Sequence, residues 1–265
     1  MKELISKDNP IVKEIARLKQ KKYRDLTGMY VLEGRNLVGE VLNSGQPPVY
    51  LLIQQERLEQ YQDLIARNTD LPWYATDARV MKQLSDTESP QGILAVMPKP
   101  VYNLEKLAKP GGLLVVLDQV SDPGNMGTII RTCWAFGVDA VLLTKGSADP
   151  FNPKVVRSSM GGILKVPVLE DVTPDKLEEL KVKGYRLMAT AADKAVPVYE
   201  ADLNGSVAVV IGSEARGLSP RVAARCDATV TIPCQPEVDS LNAAVACGII
   251  LGHSWHCRFY RDSFV

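Results

Sequence analysis

The sequence predicts two α/β domains, a small one followed by a larger one. Short apolar runs alternate with longer amphipathic segments along most of the chain, which is the pattern of alternating strands and helices. The 265 residues are enough for two ordinary domains. Three prolines and two glycines between positions 98 and 112 interrupt the pattern. We therefore assign residues 1–97 to the first domain, 98–110 to a linker and 111–265 to the second domain.

The first domain is predicted to begin with a basic helix over residues 1–24. This stretch holds eight lysines and arginines against three acidic residues, although the whole chain has 31 of each kind and no net charge. Ile11, Ile15 and Leu18 give it an apolar stripe at helical spacing. Two interpretations fit this pattern: a helix face that contacts phosphate groups, or the solvated face of a helix that packs through its stripe.

The remaining elements follow from the apolar periodicity. In the first domain we expect strands at 29–32, 49–53, 73–76 and 93–97, and helices at 35–43, 56–67 and 78–84. The second domain starts with a wholly apolar run that is typical of a buried parallel strand. Its strands are expected at 113–117, 140–144, 165–169, 186–191, 207–211 and 228–232, and its helices at 125–136, 153–160, 174–183, 217–225 and 240–260.

Composition argues against several classes of protein. No apolar run reaches the length of a membrane span, and the first residues lack the apolar core of a signal peptide. The five cysteines have no CxxC spacing, which favours free thiols, so we expect a cytoplasmic protein. The only histidines, His253 and His256, lie near Cys257 without a second cysteine pair, and we expect no metal site. No histidine follows a predicted strand, so a Ser-His-Asp triad is not expected.

Polar and glycine-rich loops follow several strands of the second domain. Such loops come after the strands that end near Asp118, Thr190, Gly212 and Ile232. Because the carboxyl ends of parallel strands meet at one edge of a sheet, we expect a ligand site there. The loop 122–127 (DPGNMG) leads into a helix whose first N–H groups suit an anionic ligand, although a plain capping turn has the same composition. Neither GxGxxG nor a P-loop occurs, so standard dinucleotide and P-loop enzymes are not supported.

Four polar side chains in these loops and the helices after them are candidates for chemistry. Arg131 lies on an otherwise apolar helix, where a solvated surface arginine is the alternative. Glu214 follows a strand end, and many loop glutamates have no function. Ser240 is placed to cap the last helix, which puts Asn242 inside it. Asparagine is a poor residue for a helix interior, so a role for Asn242 is favoured.

Three of these segments together resemble the SpoU/TrmH family of RNA ribose 2′-O-methyltransferases. The similar segments are 117–143 (LDQVSDPGNMGTIIRTCWAFGVDAVLL), 209–219 (VVIGSEARGLS) and 232–251 (IPCQPEVDSLNAAVACGIIL), in family order. Residues 152–168 resemble the region between the first two motifs. Residues 9–42 resemble the substrate-binding domain of family members that modify large-subunit ribosomal RNA.

The resemblance implies a fold, a cofactor and a set of site residues. It implies a catalytic domain with a trefoil knot that binds S-adenosylmethionine, and a homodimer formed through the carboxyl-terminal domain. It implies cofactor contacts at Thr190, Gly212, Ile232 and Leu241, and a catalytic set of Asn125, Arg131, Glu214, Ser240 and Asn242. We expect RNA contacts at Lys19, Lys21, Lys22, Arg24 and Arg157. Ribosomal RNA is the expected substrate; transfer RNA, or a catalytically silent RNA-binding protein of this fold, is the alternative.

The resemblance leaves the general base open. Arginine stays protonated in proteins, so we expect Arg131 to bind a phosphate and to stabilise the developing alkoxide, while Glu214 or a water takes the proton. Pro236 stands where the family usually has glycine, which predicts a stiffer cofactor loop because proline fixes φ and lacks an N–H. A different α/β enzyme that binds a nucleotide is a further alternative, supported only by the loop 122–127.

Overall fold

The chain folds into two α/β units. The computed structural model describes residues 1–43, 45–191 and 195–259. One unit comprises residues 1–100 with 151–164, and the other comprises 101–150 with 165–265. The division after residue 100 lies within the predicted linker, and the sequence pattern did not indicate that 151–164 belongs with the first unit. The predicted α/β class is confirmed.

The first unit is built on a mixed five-stranded sheet in the order β1-β4-β3-β5-β2. Strand β5 runs antiparallel to β2 and β3, and the other pairs are parallel. Its elements are β1 (Lys2–Glu3), α1 (Pro10–Arg17), α2 (Lys21–Thr27), β2 (Met29–Glu33), α3 (Arg35–Asn43), β3 (Tyr50–Gln54), α4 (Gln62–Ala66), β4 (Trp73–Thr76), α5 (Ala78–Leu84) and β5 (Ile93–Pro98). Two short 3-10 turns, 55–57 and 59–61, replace the start of the predicted helix 56–67.

The prediction of a single basic helix over residues 1–24 is wrong. The segment forms β1, then α1, then the beginning of α2, because Gln20 is extended between the two helices. Asn9 starts α1 by accepting a hydrogen bond from the N–H of Ile11. Ile15 and Leu18 of the predicted stripe are buried in the core of this unit.

Arg24 is not available to contact RNA, contrary to our expectation. Its side chain is 2% exposed, and Nη1 donates to the carbonyl of Leu18 at 2.6 Å. It therefore stabilises the turn between α1 and α2. Lys19 and Lys22 remain exposed, although Nζ of Lys19 donates to the carbonyl of Ser85 at 2.5 Å.

Residues 151–164 pack within the first unit through α8 (Pro153–Ser158) and its flanks. The rings of Phe151 and Tyr30 have centroids 4.7 Å apart, and Val156 is buried. Nη1 of Arg157 lies 3.2 Å from Oδ2 of Asp86. Since both side chains are partly exposed, this ion pair leaves Arg157 at the surface.

The second unit is built on a parallel seven-stranded sheet in the order β10-β12-β9-β11-β6-β7-β8. Its elements are α6 (Leu104–Leu107), β6 (Leu113–Asp118), α7 (Pro123–Ala135), β7 (Ala140–Leu143), β8 (Val168–Leu169), α9 (Pro174–Val182), β9 (Arg186–Thr190), β10 (Val196–Pro197), β11 (Val207–Gly212), α10 (Pro220–Ala223), β12 (Ala228–Thr231) and α11 (Ala243–Phe259). Because β12, β9, β11 and β6 are parallel neighbours, their carboxyl ends lie along one edge, as predicted.

Several boundaries in this unit differ from those predicted. The linker carries α6, whose residues Leu104 and Leu107 are buried in the core of the second unit. Strand 165–169 shortens to β8 and helix 217–225 to α10, while β10 and α6 were not predicted, nor was β1 in the first unit. Residue 260 of the predicted last helix lies outside the described residues. No helix in the described part of the chain is both long and apolar enough to cross a membrane.

Helices α7 and α11 of the second unit pack against each other. The ring centroids of Phe136 and Trp255 are 6.5 Å apart, and Cys133 and Cys247 are buried. At the far end of α11, the guanidinium of Arg258 donates to the carbonyls of Gly111 and Gly205 at 2.8 and 2.6 Å. These contacts fix the direction of α11 and hence the position of its first residue.

The burial of Arg24 gives a stability prediction. We expect Arg24→Ala to lower the free energy of unfolding by about 2 kcal/mol or more, because the Leu18 carbonyl loses its buried donor. The exposed neighbour Lys22→Ala is the matched control and should change it by less than about 0.5 kcal/mol. Equilibrium unfolding in urea measures both, and equal effects would contradict the structural role of Arg24.

Candidate active site

Three loops of the second unit meet at one carboxylate oxygen. Oε1 of Glu214 accepts hydrogen bonds from Nδ2 of Asn125 at 2.8 Å, from Nδ2 of Asn242 at 2.6 Å and from the N–H of Ala243 at 3.2 Å. Nδ2 of Asn242 also donates to Oδ1 of Asn125 at 2.9 Å. The side chains of Asn125, Glu214 and Asn242 thus form a closed ring, which we call the Asn-Glu-Asn cluster.

Asn242 is the residue that caps α11, which corrects the predicted position of this helix start. Its Oδ1 accepts from the N–H groups of Ala244 at 3.0 Å and Val245 at 3.2 Å. The helix begins at Ala243 rather than at Ser240, so Asn242 is a favourable cap and not an unfavourable interior residue. Because the oxygen is bound to the helix, the NH2 group must point to Glu214 and Asn125.

Asn125 reaches the cluster from the first turn of α7. Asp122 caps this helix by accepting a hydrogen bond from the N–H of Asn125 at 2.7 Å, and Pro123 occupies the first helical position. The DPGN sequence therefore sets both the start of α7 and the direction of the Asn125 side chain. The loop is a helix start, as predicted.

Glu214 projects from a tight turn that requires glycine at two positions. The N–H of Ser213 donates to the carbonyl of Gly217, and the N–H of Gly217 donates back, at 3.1 and 2.8 Å. Gly217 has φ +64°, in the region that favours glycine. A Cβ on Gly212 would lie 2.3 Å from the carbonyl carbon of Gly217, so any side chain there would push the turn away.

Arg131 and Ser240 do not join the cluster. Arg131 is exposed on α7, and no described residue forms a hydrogen bond or ion pair with its guanidinium. Ser240 is exposed in the loop before α11, and its hydroxyl likewise has no hydrogen-bond partner among residues 1–43, 45–191 and 195–259. Both side chains are thus accessible to a substrate.

The four predicted cofactor residues lie along the same edge. Thr190, Gly212 and Ile232 end or follow the parallel strands β9, β11 and β12, and all four, with Leu241, are half-buried. The hydroxyl of Thr190 donates to the carbonyl of Val210 at 3.1 Å, which ties β9 to β11. None of the four is charged, so what they offer a ligand is main-chain groups and apolar surface, which suits an adenosine and a methionine-like chain. Residues 192–194 lie outside the described residues.

The loop between β12 and α11 includes Pro236, the departure from the family pattern. Pro236 is exposed in this loop, and so is Cys234, whose thiol donates to the carbonyl of Ile232 at 3.2 Å. Pro236 therefore lies in the exposed part of the loop, whereas Ile232 and Leu241, near the two ends of the loop, are half-buried.

Two cysteines of the second unit have thiols whose pKa is raised by burial. Burial raises the pKa of the Cys133 thiol well above its usual value, and the adjacent Cys247 adds to the shift. Burial, with the negative charges of Asp227 and Asp118, raises the pKa of Cys226 to about 11. The raised pKa values favour the protonated form of the Cys133 and Cys226 thiols, and a protonated thiol is a weak nucleophile.

His253 on α11 contacts two other side chains. Nε2 of His253 lies 3.3 Å from Sγ of Cys257, and the ring of Tyr199 packs edge-on against His253. Within the described ranges, no group of three or more histidine, cysteine or acidic side chains is placed to hold a metal.

One buried carboxylate beside the site was missed by the sequence reasoning. Asp118, at the end of β6, is 1% exposed and accepts hydrogen bonds from Thr144 and from the N–H of Ser219. A charged residue that directly follows a five-residue apolar run is the signal that identifies it, since an unpaired carboxylate is rarely buried.

Comparison with known proteins identifies the family. The SpoU rRNA Methylase family model matches residues 112–252, which is more than half of the chain and contains the whole Asn-Glu-Asn cluster. The chain belongs to the SpoU rRNA methylase family. A second model, of an MRM3-like substrate binding domain, matches residues 9–95. The chain is accordingly an RNA 2′-O-methyltransferase that uses S-adenosylmethionine, as the resemblance implied.

Relatives of this SpoU methylase match over nearly its full length. The 23S rRNA (guanosine(2553)-2′-O)-methyltransferase RlmP of Bacillus subtilis is 35% identical over 96% of this chain and 99% of its own. An AdoMet-bound rRNA methyltransferase from Sinorhizobium meliloti has a TM-score of 0.85 at 32% identity and covers 96% of this chain and 97% of its own. The SpoU methyltransferase AviRb from Streptomyces viridochromogenes, in complex with AdoMet, has a TM-score of 0.86 at 27% identity, with 94% and 97% covered.

The two roles of Asn242 are separable by substitution. Asn242→Ser keeps a capping oxygen but is too short to reach Glu214, so we expect methyl transfer to fall at least about 50-fold while the free energy of unfolding changes by less than about 0.5 kcal/mol. Asn242→Ala loses the cap as well and should cost about 1 kcal/mol. Steady-state kinetics and urea unfolding measure both effects. Full activity of Asn242→Ser would show that its amide donors are dispensable.

Proposed function

We propose that this SpoU methylase methylates a ribose 2′-hydroxyl in large-subunit ribosomal RNA. The observation that carries the proposal is the Asn-Glu-Asn cluster, which joins residues of all three motifs at the edge where the cofactor residues lie. The name and full-length similarity of the Bacillus subtilis relative support a 23S-type substrate. The first unit supports it too, because it matches a substrate-binding domain.

The residues of this chain provide positioning and charge for the reaction. Thr190, Gly212, Ile232 and Leu241 would hold S-adenosylmethionine, which supplies an electrophilic methyl group when bound. Transfer from sulfonium to oxygen is an in-line displacement, so orientation of the hydroxyl contributes much of the rate. Asn125 and Asn242 orient the carboxylate of Glu214, and the hydrogen bonds to Glu214 in turn hold their two NH2 groups in place.

The geometry of Glu214 restricts how it can take part in proton transfer. Oε1 already accepts three N–H donors, so its lone pairs are occupied. No described donor lies within hydrogen-bond distance of Oε2. We assign to Oε2 the role of accepting the hydroxyl proton, directly or through a water, as the ribose oxygen attacks.

Arg131 and Ser240 are the accessible members of the catalytic set. The planar guanidinium of Arg131 is suited to bind an RNA phosphate and to stabilise negative charge that develops on the 2′-oxygen. Ser240 stands just before the cap of α11, where its hydroxyl can contact the ribose or the cofactor.

We assign the first RNA contacts outside the catalytic site to exposed cations of the first unit. Lys19, Lys22 and Arg157 are exposed or half-exposed, and Lys21 pairs at 3.2 Å with Asp25 at the surface. Phosphate contacts of this kind make affinity depend on salt because they release counterions. Arg24 is left out of this set because it is buried.

We further propose a cytoplasmic homodimer with a knotted second unit. Trp134 on α7 and Val245 on α11 are 44% and 51% exposed, which gives the packed helix pair an apolar surface for a second copy. Light scattering on the full chain at micromolar concentration should give twice the chain mass of 29.0 kDa. A monomer would overturn the dimer but not the activity.

A methyl-transfer assay tests the proposed function. We expect transfer of tritium from labelled S-adenosylmethionine to unmodified large-subunit ribosomal RNA, with the label recovered in a dinucleotide that resists alkaline hydrolysis because its 2′-oxygen is blocked. Label on a base, or on transfer RNA alone, would contradict the proposed site or substrate.

The role of Arg131 is tested by substitution. We expect Arg131→Ala to lower kcat at least about 100-fold while the Kd for S-adenosylmethionine changes less than about threefold, because the guanidinium acts on RNA and not on the cofactor. Arg131→Lys should recover under about a tenth of the activity, since an ammonium lacks the planar fork. Arg221→Ala, on the exposed face of α10, is the control and should be fully active. Normal turnover of Arg131→Ala would overturn the assignment.

A further inference from the structure

Asp118 is a buried carboxylate whose two oxygens bind two different loops. Oδ1 accepts from the hydroxyl of Thr144 at 2.7 Å, and Oδ2 accepts from the N–H of Ser219 at 2.6 Å. Asp118 is the last residue of β6 and is 1% exposed. Burial of a carboxylate is costly unless both oxygens are satisfied, and here each has a donor.

The Thr144 side of this network also fixes the residue after Asp118. Oγ1 of Thr144 accepts from the N–H of Gln119 at 3.1 Å, which leaves its hydrogen to point at Asp118. Gln119 has φ +58°, an unfavourable conformation for a residue with a side chain. The end of β6 is therefore held in one conformation by the Asp118–Thr144 pair.

The Ser219 side reaches the loop that carries Glu214. Residues 213–219 leave β11 at Gly212, turn back through the paired hydrogen bonds of Ser213 and Gly217, and then run to Ser219. The hydrogen bond from Ser219 to Asp118 fixes the exit of this loop against β6, the neighbour of β11 in the sheet. The loop is thus fixed at its entry, at its turn and at its exit.

We infer that Asp118 is a positioning residue for Glu214. It holds the 213–219 loop in the position at which Oε1 of Glu214 accepts hydrogen bonds from Asn125 and Asn242. In that position Oε2 faces the substrate. This inference rests on the proposed function, because it concerns the same site. Asp118 is buried by the protein and so is not placed to contact RNA itself.

A general structural role makes a different prediction from a positioning role. If Asp118 only stabilises the sheet, its loss lowers stability and lowers activity by the same factor whatever residue stands at 214. If it acts through Glu214, its loss matters only while Glu214 is present. A double-mutant cycle separates these cases.

The experiment combines Asp118→Asn with Glu214→Gln in the full chain. The substituted amide keeps the shape of Asp118 but is neutral and has one acceptor oxygen in place of two, so one hydrogen bond is lost and the other is no longer made to a charged group. We expect Asp118→Asn to lower kcat about tenfold, with KM for both substrates within about threefold. In the Glu214→Gln background, the same change should lower kcat less than about twofold.

A matched control is available in the same unit. Asp227 also accepts a backbone hydrogen bond, from the N–H of Leu187 at 2.9 Å, but it pairs with Lys181 and has no link to residues 213–219. Asp227→Asn should leave kcat unchanged. If Asp118→Asn does not fold, Thr144→Val takes its place in the cycle, because it removes the hydroxyl that donates to Asp118 and accepts from Gln119 while the Asp118 carboxylate stays in place.

The outcomes are distinct. Unchanged kcat in Asp118→Asn, or an undiminished tenfold loss in the Glu214→Gln background, would overturn the inference while the wild-type activity stands. Absence of methyl transfer by the wild-type protein would overturn the proposed function instead.

Discussion

The candidate active site, at one edge of the parallel sheet, depends on a single carboxylate oxygen that accepts hydrogen bonds from three N–H groups. Oε1 of Glu214 accepts from donors on α7 and at the start of α11, so this one atom connects all three motif loops. Hydrogen bonds to a charged acceptor are stronger than those between neutral groups. The cluster nevertheless lies at the surface, where water competes, so its geometry must be held by the elements behind it.

Those elements are the parallel sheet and two packed helices. The sheet brings the ends of β6 and β11 side by side, with Asp118 opposite Gly212 in register. Helix α11 is held along α7 by the ring contact of Phe136 with Trp255, and its last turn is held by Arg258. Asn242 connects the packed helices to the cluster, because its amide oxygen caps α11 while its NH2 group donates to Glu214.

Sequence patterns predicted the strands of the second unit well, since runs such as 113–117 are buried on both faces and read as apolar throughout. The motif resemblance predicted the cluster residues, which periodicity alone could not rank. Two of the failures depend on tertiary contacts that local periodicity does not show. Whether Arg24 faces solvent is decided by the turn at Leu18, and residues 151–164 join the first unit through Phe151 and Tyr30. A local pattern also placed the start of α11 too early, because Ser240 and Asn242 are both good caps.

The most direct measurement of the central claim is hydrogen exchange at the backbone amide of Ala243, which donates to Oε1 of Glu214 at 3.2 Å. If this oxygen assembles the site, Glu214→Ala should speed exchange at Ala243 at least about tenfold while the amides of β6 and β11 keep their wild-type rates. Unchanged exchange at Ala243 would contradict the account, because the first turn of α11 would then be held in place without Glu214.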